Sequence, residues 1–446
     1  MSYDLLLKGA TLLTCDAADR VIEDGAIGIA GDRLAFVGPA SELPADAAAA
    51  RVLDVSGRVI TPGFVNVHTH AILSMVRGVA EDLGFAPAYT PGIPHGHDVA
   101  PDEAYALSRL GALEALLFGS TLINDTYVHA GVTTGAMAEL GLRVWNCGRI
   151  HDADFSLIGD GRWEHHPAIG EKTLGEALAL ADLWHGKDNG RIGVQLAAHA
   201  PDTCSDAFLV EIRKAAESRG LRVNTHLSQS RTEVEQIRRR SSKTPAELLE
   251  DVGLLNDRLT AAHCIFVTDS DIDRCGRAGI NVAHIPKGNA TGGTIAPTGK
   301  LRAAGANLAL GTDNMHADMV EVMRWALAIG RVQEGEVGAT WQPKNMLRAA
   351  TRGGARAMGL ADEIGSLETG KKADLVGFDF RRPHLVPDVN PVGTLVHAGQ
   401  GRDVELVLVD GRMVVEGGRP TLVDMDTVLA DAQHAAEALW RRARAQ

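Results

Sequence analysis

The chain has 446 residues, with 44 Lys and Arg against 57 Asp and Glu; the formal charge of -13 argues against phosphate-backbone binding as its main task. The acidic excess supports solubility and names no partner. Five cysteines (Cys15, Cys147, Cys204, Cys264, Cys275), odd in number and without CxxC spacing, fit reduced thiols in a cytoplasmic protein better than a disulfide framework. Asp4 and Lys8 bracket a very short apolar run, so no secretory leader is expected, and no apolar stretch is long enough to span a bilayer.

In chain order, the first elements are short strands at 3–13, 25–37 and 51–55, broken by Gly, Asp and Pro. The texture changes at TPGFVNVHTH, from Thr61 to His70. An apolar run opened by Pro-Gly reads as a buried parallel strand, and it ends in two imidazoles one residue apart. Residues i and i+2 of extended backbone share a side, so His68 and His70 can grip one metal ion together.

Further apolar runs follow at Thr121–Asp125 and at Leu142–Cys147, which leads into Arg149. Then come Ile192–Ala198 before His199, Leu221–Thr225 before His226, and Leu259–Ala262 before His263. The last are Ile280–Ala283 before His284 and Asn307–Thr312 before Asp313. Between the runs lie helical patterns such as Glu103–Phe118, stopped by Gly119, and Ala207–Ser218, stopped by Gly220. Alternating strands and helices predict an α/β fold, a (β/α)8 barrel of TIM type. Such a barrel gathers every strand's C-terminal end on one face, so the histidines converge there. A doubly wound open sheet is the fallback, and it would spread those ends along a line.

Short strands return at 374–380 and 404–415, with an Asp410-Gly411 hairpin turn. The organisation read from this is a small β-sandwich domain from 1–60 plus 370–425, the barrel over 61–369, and a closing helix over 426–446. Asp426 is the expected helix cap. His95-Gly96-His97 repeats the His-x-His spacing in a Gly/Pro-rich stretch with no strand before it, and reads as loop.

The set His68, His70, His226, His263 and Asp313 resembles the amidohydrolase superfamily. The words RGVAEDL, HAPDTCS, AAHCIFVTDSDI, GNATGGTIAP and LALGTDN are similar to the branch of methylthioadenosine/S-adenosylhomocysteine deaminases and triazine chlorohydrolases. GSLETGKKADLVGFD resembles that branch's return to its small β domain. The resemblance implies that His68, His70, His226 and Asp313 hold one divalent metal, Zn or alternatively Fe(II). Imidazoles and a carboxylate suit either ion, which lowers the pKa of water from about 15.7 to about 7.

By the same resemblance, Asp313 takes the proton from water and His263 orients the nucleophile or polarises the substrate. A satisfied core histidine is the alternative for His263. His199 and His284 would line the substrate pocket, or merely buttress it. Arg149 faces an anionic or carbonyl group, or a surface ion pair. Relatives with two metals carry a bridging lysine at the fourth strand; here that position reads Ala197-Ala198-His199, which favours one metal.

One departure bears on the chemistry. The branch places a glutamate three residues after the fifth-strand histidine, where it passes a proton to a ring nitrogen. This chain has His226-Leu227-Ser228-Gln229, and an amide can bind substrate but cannot exchange a proton. Lys287 also stands where the branch usually has Thr, facing a substrate anion or water. The expected function is hydrolytic deamination or C–N cleavage of an amino-substituted N-heterocycle. Alternatives are hydrolysis of another leaving group (halide, alkylamine, amide) without ring-nitrogen protonation, or a non-catalytic scaffold of this fold. A small molecule is the expected partner, with no nucleic acid and no membrane, in a homo-oligomer (dimer or tetramer).

Overall fold

The computed structural model describes residues 2–83 and 92–444. Five strands form before the barrel: β1 (Ser2–Leu13), β2 (Val21–Ala30), β3 (Arg33–Pro39), β4 (Ala48–Asp54) and β5 (Arg58–Pro62). The barrel strands are β6 (Phe64–Thr69), β7 (Ser120–Tyr127), β8 (Arg143–Ile150), β9 (Ile192–Val194), β10 (Leu196–Ala198), β11 (Val223–Leu227), β12 (Leu259–His263), β13 (Asn281–His284) and β14 (Asn307–Leu310). Four more return to the first sheet: β15 (Leu375–Asp379), β16 (Val404–Val409), β17 (Arg412–Glu416) and β18 (Arg419–Pro420).

The barrel strands pair in parallel in the order β14-β13-β12-β11-β10-β8-β7-β6, with β9 also on β8. β9 and β10 are two pieces of one barrel position. The run expected as a single strand is interrupted at Gln195, whose side chain accepts from Asn224 Nδ2 at 3.3 Å. The ends of the barrel meet where Asp313 N donates to His68 O at 2.9 Å and His70 N donates to Asp313 O at 2.9 Å. Gly311 permits that seam, because a Cβ there would stand 2.9 Å from His68 Cβ and 3.0 Å from His68 O. The open-sheet fallback is therefore set aside.

Strands from both termini make a second sheet, ordered β18-β17-β16-β15-β5-β1-β2-β3, with β4 on β1. Its pairs are mostly antiparallel, and β16 and β17 turn at Asp410-Gly411 as the sequence predicts. Leu7, Leu12, Ile27, Ile60, Leu375 and Leu408 are the buried apolar face that holds this sheet together. The final helix spans Met425–Ala443, and its cap is Asp424, which accepts from Thr427 N at 2.9 Å. The expected cap, Asp426, lies inside the first turn. Ala445 lies outside the described residues.

Arg143, at the start of β8, ties the barrel to the terminal sheet. Its Nε and Nη2 donate to the two carboxylate oxygens of Asp374 at 2.6 and 2.9 Å, and Nη2 also meets Asp410. Arg143 and Asp374 are buried, so removing the guanidinium strands two carboxylates in a poorly solvated place. Arg143→Met should lower unfolding stability by roughly 3–5 kcal/mol. A denaturant midpoint unchanged from the wild type would show the pair to be dispensable.

Candidate metal centre and substrate pocket

The histidines expected to converge do so at the C-terminal ends of the barrel strands. His68 Nε2 and His70 Nε2 lie 3.5 and 3.4 Å from Asp313 Oδ1. Ligands around a tetrahedral ion with bonds of about 2.05 Å are separated by about 3.3 Å, so these three atoms are spaced for a shared cation. His226 completes the group: its ring centroid is 4.9 Å from that of His68, and the ligand nitrogens of His68, His70 and His226 lie within 4.8 Å of one another. His68, His263 and Asp313 form an overlapping triad within the same limit.

Hydrogen bonds to the far side of each ring fix which nitrogen faces inward. His70 Nδ1 donates to Thr126 O, and His226 Nδ1 donates to His199 O at 2.6 Å. His263 Nδ1 donates to Asn289 Oδ1 at 3.0 Å. A carbonyl oxygen only accepts, so in each ring Nε2 is the basic nitrogen. Burial holds the imidazoles of His68 and His70 well below the ordinary histidine range, and lowers that of His263 to about 3. They are neutral at neutral pH, the form that ligates.

Two buried atoms of this cluster, His68 Nε2 and Asp313 Oδ2, make no hydrogen bond. Leaving such atoms unsatisfied costs about 1–3 kcal/mol each. A divalent cation removes the cost, and the donor set of three imidazoles and a carboxylate fits one.

The backbone is strained where these side chains are aimed. Ser228, His263 and Asp313 have φ of 49°, 70° and 66°, left-handed values that a non-glycine residue seldom adopts. Sequence patterns carry no trace of this. They also missed the ring partners Asn289, Thr203 and Thr298, for which a Thr or Asn shortly after a strand was the available signal, and the backbone carbonyl of Thr126, which no residue type marks.

His199 and His284 lie on the same face, with Nδ1 2.9 Å from Thr203 Oγ1 and 3.1 Å from Thr298 Oγ1. The His199 ring is 5.0 Å from that of His226, whereas His284 neighbours Trp341 at 6.5 Å. Arg149 is not placed in a surface ion pair among the described residues. Its guanidinium lies over the rings of Tyr127 and Phe155 at 4.5 and 4.9 Å, on the wall of a cavity of about 880 Å³. Gln229 is half-buried, and its N–H donates to Glu233 Oε2 at 2.7 Å. Glu233 Oε1 accepts from Ser228 N at 2.7 Å, so one carboxyl clamps the turn after His226. Lys287 pairs with Glu321 at 2.8 Å.

A closed parallel barrel with a His, His, His, Asp cluster at its C-terminal face defines a class of metal-dependent hydrolases. Comparison with known proteins makes this specific: the chain belongs to the amidohydrolase family, which it matches over residues 59–414. It is 37% identical to a 5-methylthioadenosine/S-adenosylhomocysteine deaminase of Desulforudis audaxviator, over 98% of this chain and 99% of that one. It is 32% identical to a 5'-deoxyadenosine deaminase of Methanosarcina acetivorans, over 99% and 100%.

Among solved structures, a zinc-bound adenosine deaminase from Xanthomonas campestris superposes with a TM-score of 0.88 at 27% identity, covering 98% and 99% of the two chains. A zinc complex of atrazine chlorohydrolase from Arthrobacter aurescens shares the fold, with a TM-score of 0.85 at 23% identity and coverage of 97% and 100%. The chain is thus a hydrolase of carbon–nitrogen bonds that acts on small molecules. No helix among the described residues is long and apolar enough to cross a membrane.

Proposed function

We propose that this protein is a mononuclear metal-dependent deaminase of an amino-substituted N-heterocycle, with adenosine-type nucleosides as the substrates to test first. The observation that carries the hydrolytic reading is Asp313 Oδ1 at 3.5 and 3.4 Å from two inward imidazole nitrogens, with the other carboxylate oxygen unpartnered. The substrate class rests on the deaminase names of relatives that match nearly the whole chain.

His68, His70, His226 and Asp313 would hold the ion, with zinc favoured over Fe(II) because the adenosine deaminase structure from Xanthomonas campestris, 27% identical, carries zinc. When bound, the ion supplies Lewis acidity that makes water nucleophilic near neutral pH. Asp313 accepts the proton of the attacking water and returns it to the departing amine, so that C–NH2 and water become C–OH and ammonia. His263, held by Asn289, orients the attacking oxygen. Gln229 hydrogen-bonds the ring, while His199, His284 and Arg149 line its pocket.

A second reading has one specific observation in its favour. Gln229 cannot deliver a proton to a ring nitrogen, so loss of a halide, which departs as a stable anion without a proton, fits the same site. Metal-verified protein should be assayed with adenosine, 5'-deoxyadenosine, methylthioadenosine and S-adenosylhomocysteine, and with chloro- and alkylamino-triazines. Ammonia release from a nucleoside is the expected result. Halide release without ammonia would hand the site to the second reading, and no turnover by folded, metal-loaded protein on any of them would remove the first.

The division at 60/61 and 369/370 and a cytoplasmic homo-oligomer complete the proposal; limited proteolysis and light scattering check the two. Elemental analysis should find about one transition metal per chain, with chelation abolishing turnover while circular dichroism is preserved. The reason is that eight barrel strands bury Val65, Val67, Leu122, Ala283 and Ala309 without help from the ion. Two ions per chain that are both lost when His68 is replaced would contradict the mononuclear assignment.

A further inference from the structure

A second constellation of metal-ligating groups stands apart from the strand ends. His95, His97 and Asp98 each offer a donor atom, and these atoms lie within 4.8 Å of one another. A short 3-10 turn, Gly96–Asp98, brings them to one side. His97 Nε2 is 3.5 Å from Asp98 Oδ1, and His95 Nδ1 is 3.9 Å from Asp98 Oδ2. Both separations approach the edge of about 3.3 Å expected around a tetrahedral transition metal. The two imidazoles stack with centroids 5.4 Å apart.

The turn is braced. Asp98 Oδ2 accepts from His95 N at 2.7 Å, and Asp98 N donates to His95 O at 3.0 Å. Arg442, from the last helix, donates to Asp98 O at 3.0 Å while its guanidinium is neutralised by Glu103 at 2.6 Å. His129 Nε2 donates to Val99 O at 2.7 Å.

We infer that His95, His97 and Asp98 form a second, peripheral site for a divalent transition metal such as zinc. It shares no ligand with the strand-end cluster. It has three protein donors, and His97 is 67% exposed, so water completes the coordination and the site binds more weakly than one built from four buried donors. His97 lines the large cavity, and a Cβ on Gly96 would stand 2.8 Å from Arg149 Nη2 and 3.2 Å from Tyr127 Cε1. An ion there fixes this turn against those two residues and takes no part in bond cleavage.

The test is equilibrium dialysis of the holoenzyme, freed of excess metal, against rising zinc, with metal per chain read by elemental analysis. The wild type should take up a second equivalent. His97→Gln and Asp98→Asn should each weaken that equivalent by about tenfold or more and keep the first, with thermal melting confirming folded protein. A wild type that saturates at a single equivalent in millimolar zinc would overturn the site. So would a second equivalent bound with unchanged affinity by folded His97→Gln protein, or loss of the first equivalent along with the second.

Discussion

Replacing His68 with alanine should empty the metal site, whereas His263→Ala should keep most of the metal and still lose about a hundredfold or more in turnover. The difference follows from what each ring faces. His68 Nε2 has no hydrogen-bond partner, lies 3.5 Å from Asp313 Oδ1 and sits beside both His70 and His226. Removing it takes away one of four donors and leaves Asp313 Oδ1 with a single imidazole at 3.4 Å.

His263 is held from behind by Asn289, and its ring stands farther from His68, at 5.6 Å between centroids, than the rings of His70 and His226 do, at 4.8 and 4.9 Å. On the proposed assignment it acts on the attacking oxygen rather than mainly on the ion, while its donor atom also lies within 4.8 Å of those of His68 and Asp313. Metal content and rate measured on the same samples separate the two cases. Equal metal loss in both variants would move His263 into the ligand set. Asn289→Ala offers a milder check, since it frees the His263 ring without deleting it and should reduce rate with metal unchanged.

The convergence of these residues was legible before any coordinates because parallel strands must all end on one face. TPGFVNVHTH, with buried strand residues followed by two imidazoles, carries that logic within ten letters. The runs ending at His226, His263, His284 and Asp313 could be counted for the same reason. Harder to read were features that depend on atoms far apart in the chain. Arg143 and Asp374 are 231 residues apart, and the Asn66–Thr312 bond at the barrel seam spans 246.

Left-handed backbone at Ser228, His263 and Asp313 was also hidden, because no glycine marks it. The break at Gln195 lies inside an apolar run whose composition says strand throughout. The cap of the last helix was misjudged between Asp424 and Asp426, two aspartates on one rim, since either could reach an orphan amide and only the turn geometry decides.

Gln229→Glu should retain metal and lose activity on the native substrate, by about tenfold or more, the equivalent of roughly 1.4 kcal/mol in transition-state binding. The surroundings of the residue give the reason. Its backbone amide is held at 2.7 Å by Glu233, a buried carboxyl whose pKa is pushed well above the ordinary range by burial and by the nearby Asp202. Asp202 is itself raised to about 6, chiefly by burial.

A glutamate at 229 would add a carboxyl to a neighbourhood that already disfavours negative charge. Its pKa would therefore rise. Below that raised pKa the new side chain is neutral and, like the native amide, can both donate and accept; above it, the carboxylate can only accept. The deficit of the variant relative to wild type should accordingly shrink as pH falls and widen as pH rises.

The same proton-bearing carboxyl could protonate a ring nitrogen, so on purine nucleosides that gain should offset the deficit most on the acidic limb. Parallel pH–rate profiles of both proteins, with metal content confirmed, provide the measurement. A variant faster than wild type on the native substrate across the range would show that Gln229 is the remnant of a deaminase acid rather than a recognition group. A deficit independent of pH would leave geometry, not charge, as the reason an amide stands at this position.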